Sequence, residues 1–264
     1  MRISSCAREG QECQAWHSFE RRGKKGKCTV YQDLTQRFVE LLQLKQPPVG
    51  LAFVDGIPEH VAHTSQRVPS ACTFWRLAEQ GVFYASAEDH QECPIGVMTL
   101  GFSMPEASQQ RAQELVQTMA SVQYFSPAEV SALPVVDTPH QSIVYGRLDQ
   151  FPGEADVVLC ILDTRQAMLI AEAQGNVNWL QQGGQSAFGR PTCAVIPRAL
   201  RTGLTSMSFG CIGARTYTGL TSGELVLTLP ASAFADLVER LEIIVSANAV
   251  LAPFHQGQKE KFSA

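Results

Sequence analysis

Apolar and polar positions fall into a regular pattern only from Tyr31 onward. Leu34, Phe38, Leu41, Leu42 and Leu44 recur at helical spacing and predict an amphipathic helix over Tyr31–Lys45. Pro47-Pro48 stops it, because proline cannot continue a helix and restricts the residue before it. Val49–Val54 then reads as a short buried strand, and Thr64–Ser70 as a polar loop. A helix at Cys72–Glu79 and a strand at Val82–Ala85 follow. The apolar stretch Cys93–Gly101 predicts a helix opened by Pro94 at its first position.

The second half repeats this alternation. Glu106–Val122 is helical by its Gln, Ala and Glu content, and Ser126–Leu133 is a turn or short helix. Ser142–Leu148 and Val157–Leu162 read as strands, the second running into Asp163-Thr164, a cap for a helix over Arg165–Gln174. Gln181–Pro191 is a loop by its glycines, Thr192–Leu200 a helix, and Ser206–Phe209 and Leu225–Leu229 strands. Ser232–Ala252 closes the pattern as a long amphipathic helix with Leu237, Leu241, Ile244 and Val245 on its apolar face. Strands and helices interleave without even βαβ units or internal repeats. The expected architecture is therefore α/β or α+β: one compact mixed domain over residues 31–264, with a central sheet flanked by helices.

Composition agrees with a folded domain. Of 264 residues, 45% are hydrophobic and 17% charged, which excludes wholesale disorder. No apolar run reaches the roughly 18 residues a membrane-spanning helix requires. The net charge of −4 argues against a nucleic-acid surface, and it conceals an asymmetry. Residues 1–30 hold seven Lys/Arg against three Asp/Glu, leaving 14 against 22 in the rest. That basic segment has almost no apolar periodicity and reads as a disordered extension. It contains Cys6, Cys13, His17 and Cys28, whose spacing lacks the close Cys pair of most zinc modules. MRISSCAREG has no secretory h-region, so the expected compartment is the cytoplasm.

Eight cysteines in a reducing compartment point to metal ligands, reactive thiols or small core residues rather than disulfides. Two segments matter. In Ser70–Gly101, Cys72 is followed by Glu88-Asp89-His90 and then Cys93-Pro94; a Cys-Pro step is common where cysteine ligates iron. In Gly189–Gly213, Cys193 follows a glycine loop and opens a helix, a place that lowers a thiol pKa. Cys211 lies between Gly210 and Gly213, with Arg215 close behind to neutralise a thiolate centre or hold an anion. Cys160, inside VVLCIL, reads as core.

ACTFWRLAEQGVFYASAEDHQECPIG, GRPTCAVIPRALRTG and SFGCIGARTYTG together resemble the domain of unknown function 169 family, of ArCR type, from about Tyr31 to Ala252. The family's features fall on Cys72, Glu88, Asp89, His90, Cys93, Pro94, Gly189, Arg190, Cys193, Cys211, Gly213 and Arg215. His90-Gln91-Glu92-Cys93 is one residue longer than the family's Asp-His-Gly-Cys. The resemblance singles out Cys72, Cys93, Cys193 and Cys211 and implies no activity.

Three functions stay open. The preferred one is a four-thiolate centre holding an iron–sulfur cluster, with zinc as the alternative, in redox or electron-transfer chemistry with a partner the sequence does not identify. The second is a metal-free thiol enzyme with Cys193 or Cys93 as nucleophile, His90 as base and Glu88 or Asp89 orienting the imidazole. The third is a ligand-binding or regulatory module lined by Phe74, Trp75 and Tyr84, with Arg190 and Arg215 on an anion. No dinucleotide, phosphate-loop, zinc-protease or hydrolase motif is present.

Overall fold

The structure, a computed structural model, describes residues 31–104, 106–175 and 187–263. The basic extension with Cys6, Cys13, His17 and Cys28, and residues 181–186 of the glycine loop, lie outside the described residues. Among the described residues seven strands form one mixed sheet in the order β2-β3-β1-β4-β7-β6-β5. They are β1 (Val49–Val54), β2 (Phe83–Ser86), β3 (Ser142–Arg147), β4 (Val157–Asp163), β5 (Ala187–Phe188), β6 (Ser206–Ser208) and β7 (Glu224–Pro230). All neighbours are antiparallel except β5 and β6.

The strands are apolar on both sides, and alternation sorts their side chains between two cores. Val158, Cys160 and Leu162 of β4, with Leu225, Leu227 and Leu229 of β7, face one layer of helices. That layer consists of α1 (Gln32–Leu42), α7 (Thr164–Ala173) and α10 (Phe234–Lys261). Leu51 and Phe53 of β1, Ile143 and Tyr145 of β3, and Val157 and Leu159 of β4 face the other. That layer carries α2 (Thr73–Ala78), α3 (Ala87–His90), α4 (Pro94–Thr99), α8 (Val195–Thr202) and α9 (Ile212–Thr218). Helices α5 (Glu106–Ser121) and α6 (Pro127–Ser131) complete the chain between β2 and β3. The result is a single α/β domain with both sheet faces covered.

Boundaries follow local chemistry. The α7 cap is a capping box, with Gln166 N–H donating to Asp163 Oδ1 and Asp163 N–H to Gln166 Oε1, both 2.8 Å. α1 ends at Leu42 because Gln43 turns left-handed, φ 54°, four residues before the prolines. α4 ends against Gly101, whose φ of +83° and closeness to the Val136 carbonyl leave no room for a side chain. Two expectations need correction, and α9 is an addition to them. A two-residue strand, β5, falls within the stretch read as loop, and α9 was not foreseen because only seven residues carry it. The last helix runs to Lys261, past Ala252 and through Pro253.

Candidate functional site

Three of the four singled-out cysteines cap a helix, and the fourth lies in the turn before one. Cys72 is the N-cap of α2, Cys93 of α4 and Cys211 of α9, while Cys193 sits in the 3-10 turn Thr192–Ala194 leading into α8. All four helices pack on one face of the sheet, so residues separated by more than a hundred positions meet. Each of the six pairs among these thiols is close enough for the charge on one to disfavour the charge on the other. Cys160 lies across the sheet in the opposite core, with no charged neighbour.

The surroundings are dry and short of charge. Cys72 and Cys193 are 5% and 4% exposed, while Cys93 and Cys211 reach an intermediate position. Burial, then the neighbouring thiols, pushes the Cys72 and Cys193 thiols up, and burial raises Cys93 as well. The lowered pKa expected of Cys193 at a helix start is therefore corrected, because desolvation outweighs the backbone dipole. Small donors oppose burial in part. The backbone N–H groups of Ala71 and Gly96 point at the Cys93 sulfur, and Ala214 N–H donates to Cys211 Sγ at 3.5 Å. A Cβ built on Gly96 would stand 2.8 Å from Ala71 Cβ and 3.0 Å from Cys93 Sγ, so only glycine fits there. Thr99, wholly buried, has no conventional partner for its hydroxyl, which lies beside the Cys193 thiol and favours its charged form.

His90 is held away from the thiols. Its Nδ1 donates to the Ser86 carbonyl at 2.6 Å, which leaves Nε2 to accept from the Tyr145 hydroxyl at 2.9 Å. Burial lowers its pKa to about 4, so the ring is neutral. Glu88 and Asp89 do not orient it, a correction to the sequence reading. Asp89 instead accepts from the Ser86 N–H at 2.7 Å and pairs with His63 at 2.7 Å, and Glu88 accepts from the Ser86 hydroxyl. The extra residue before Cys93 is absorbed in a tight turn, with Cys93 N–H donating to the His90 carbonyl at 3.0 Å.

Tyr145 was not foreseen. Its hydroxyl is near enough to Cys72 and Cys193 for their charges to raise its pKa, after the larger effect of burial. Its ring packs with Phe74, Phe83 and His90. Only the strand alternation of Ser142–Leu148 hinted that it faces this side. Phe74 and Trp75, read as candidate pocket walls, are fully buried core, and Tyr84 points toward the opposite layer. The two arginines are engaged elsewhere. The Arg215 guanidinium donates to the carbonyls of Phe209, Thr221 and Glu224 and ties down the α9 loop. Arg190 lies over the rings of Tyr124 and Phe125, 4.5 and 5.0 Å from their centroids, with Glu129 3.8 Å away.

The fold is that of a single α/β domain with one mixed sheet covered on both faces, and one of those faces gathers four thiols, two buried and two partly exposed. The chain belongs to the domain of unknown function 169 family, described as uncharacterised ArCR, whose model matches residues 37–240. An uncharacterised protein of Methanocaldococcus jannaschii is 24% identical over 219 residues, which cover 78% of this chain and 91% of that protein. No solved structure matches. Among the described residues no group of three or more Cys, His, Asp or Glu side chains is arranged to hold a metal ion, and no helix is long and apolar enough to cross a membrane.

Proposed function

We propose that Cys72, Cys93, Cys193 and Cys211 hold an iron–sulfur cluster, making this a redox or electron-transfer protein. The observation that supports the reading is the mutual electrostatic coupling of all four thiols within one apolar core. The donor set fits the group: four sulfurs, N–H groups aimed at two of them, and a buried hydroxyl without another partner beside a third. A single zinc ion draws its sulfurs to about 2.3 Å of one point, whereas a cluster is met by sulfurs spaced around a larger body.

When bound, such a cluster supplies one-electron exchange. The protein's own residues exclude water, through Phe74, Val97, Val195 and Ile196, and stabilise sulfur charge through backbone N–H groups. Cys72 and Cys193 form the sealed inner side, and Cys93 and Cys211 the side nearer solvent, where a redox partner would approach. Because burial keeps the free thiols protonated, loading expels protons and is favoured by rising pH.

Anaerobic purification with metal and sulfide analysis and an absorption spectrum tests this. Iron with matching sulfide and a brown chromophore are expected, and both are lost in Cys93→Ser and Cys193→Ser. Colourless protein carrying one zinc per chain would replace the cluster with zinc. Metal-free protein whose four thiols alkylate freely under native anaerobic conditions would end the metallocentre reading.

A further inference from the structure

Helix α10 is 28 residues long, about 42 Å at the usual rise, yet only about its first half is packed into the domain. Phe234, Leu237, Val238 and Leu241 are buried, Ile244 and Val245 are partly buried against the same core, and Asn248 bonds to Glu172. On the opposite side of the helix a second apolar stripe points to solvent. It runs Ile243, Ala247, Val250, Phe254 and Gly257, with spacings of four, three, four and three. Ile243, Val250 and Phe254 are 68%, 75% and 58% exposed. Singly exposed apolar residues are unremarkable, but this spacing is the seam of paired helices, with small residues between large ones. The stripe begins just past residue 240, where the match to the family ends.

We infer that this outer stripe of α10 is a homodimer interface, occupied by α10 of a second copy running antiparallel about a two-fold axis at Val250. Charge selects the occupant and its direction. The stripe is flanked at its start by Glu239 and by Asp236 paired with Arg240 at 2.9 Å, and at its end by Lys261, all exposed. A parallel pair would set like charges together. An antiparallel pair centred on Val250 sets Glu239 against the partner's Lys261, and Lys261 against the partner's Glu239. The same register places Ile243 against the partner's Gly257 and Phe254 against the partner's Ser246, with Val250 meeting its own copy at the axis. A two-fold contact of this kind is self-complementary and closes, so it stops at two copies. The seam is about 21 Å long and small beside the ~1,600 Å² of a standard interface, so a reversible, concentration-dependent dimer is expected.

Sedimentation velocity of the full chain across a concentration series, at low and high salt, tests the interface. The expected result is a monomer–dimer equilibrium in wild type, monomer in Val250→Glu and Phe254→Glu, and unchanged far-UV circular dichroism in both. Glu239→Lys or Lys261→Glu alone is expected to weaken the dimer about threefold per contact at low salt, and the double variant to restore it. A wild-type chain that stays monomeric throughout would overturn the inference, as would a dimer that survives both Val250→Glu and Phe254→Glu. Restoration failing in the charge-swapped double variant would overturn the antiparallel register.

Discussion

The two faces of the sheet are made by the same strands, often by adjacent residues of one strand, yet they are furnished differently. On the α1/α7/α10 face, Phe234 meets Phe38 edge-on at 5.1 Å and Tyr31 at 6.5 Å, and Cys160 is packed as one more small apolar group. On the α2/α4/α8/α9 face, four thiols, a neutral histidine, a tyrosine hydroxyl and an unpartnered threonine are packed among equally large aromatic rings. Burying polar groups costs stability unless they find partners, so the second face carries more of this cost than the first, where Thr35 of α1 also buries a hydroxyl without a partner. The first face holds the fold together. The second keeps its thiols dry at some cost in stability.

The largest expected effect comes from removing one ring on each side. Phe234→Ala and Phe74→Ala each empty a fully buried position and should cost about 3–5 kcal/mol, read as a lower urea midpoint with little change in slope. The two variants should then part company. Phe74 lies 4.8 Å from the His90 ring and 5.5 Å from Tyr145, so its loss should also speed alkylation of the thiols in the native state. Phe234→Ala should leave that rate near wild type once global unfolding is accounted for. Equal thiol protection in the two variants would erase the distinction between the faces.

How far this division was legible in the sequence depends on which interaction carried it. The strands of the central sheet were readable because continuous apolar runs such as VVLCIL have few alternatives, and Asp163-Thr164 is a strong cap. Cys160 was separable from the other cysteines because it lies inside such a run. The four site cysteines were readable as a set only through their glycine and proline neighbours and the family pattern. Their meeting depends on how α2, α4, α8 and α9 pack, which no local pattern encodes. Tyr145, Thr99 and the reversal of the expected Cys193 shift were not readable, since each depends on burial in three dimensions. Arg190 and Arg215 looked like anion binders because a sequence does not show carbonyls and rings already engaging them.

The histidine gives a comparison in pH. His90 stays neutral in the fold down to about pH 4, while an unfolded imidazole protonates near 6.5. Between those values the unfolded chain binds a proton that the fold refuses. Stability from this group is therefore full above about pH 6.5 and is lost as pH falls toward 4, by roughly 3 kcal/mol. Urea midpoints of wild type and His90→Gln, measured at pH 7 and pH 4.5, isolate it. Wild type should lose more stability than the variant on acidification, because other groups titrate equally in both. Parallel losses would mean that His90 is hydrated and belongs to no dry face.

The smallest effect makes the sharpest contrast, because it applies one chemical change to both sides. Cys160→Ala and Cys193→Ala each remove a single buried sulfur, at 1% and 4% exposure. Each should cost about 1 kcal/mol in metal-free protein, by lost contact and a small void. Removing Cys193 also relieves a crowd of neighbouring thiols and leaves the Thr99 hydroxyl with nothing to face, while removing Cys160 disturbs only hydrocarbon. The apo proteins should therefore unfold at similar urea concentrations. The difference should emerge in protein purified anaerobically with iron, where wild type and Cys160→Ala share a stabilised midpoint and Cys193→Ala keeps the apo value, since a ligand bound only by the fold adds its binding energy to stability. Equal stabilisation of all three by iron would place the metal away from the quartet, and a loss in Cys160→Ala would show that the two faces are not independent.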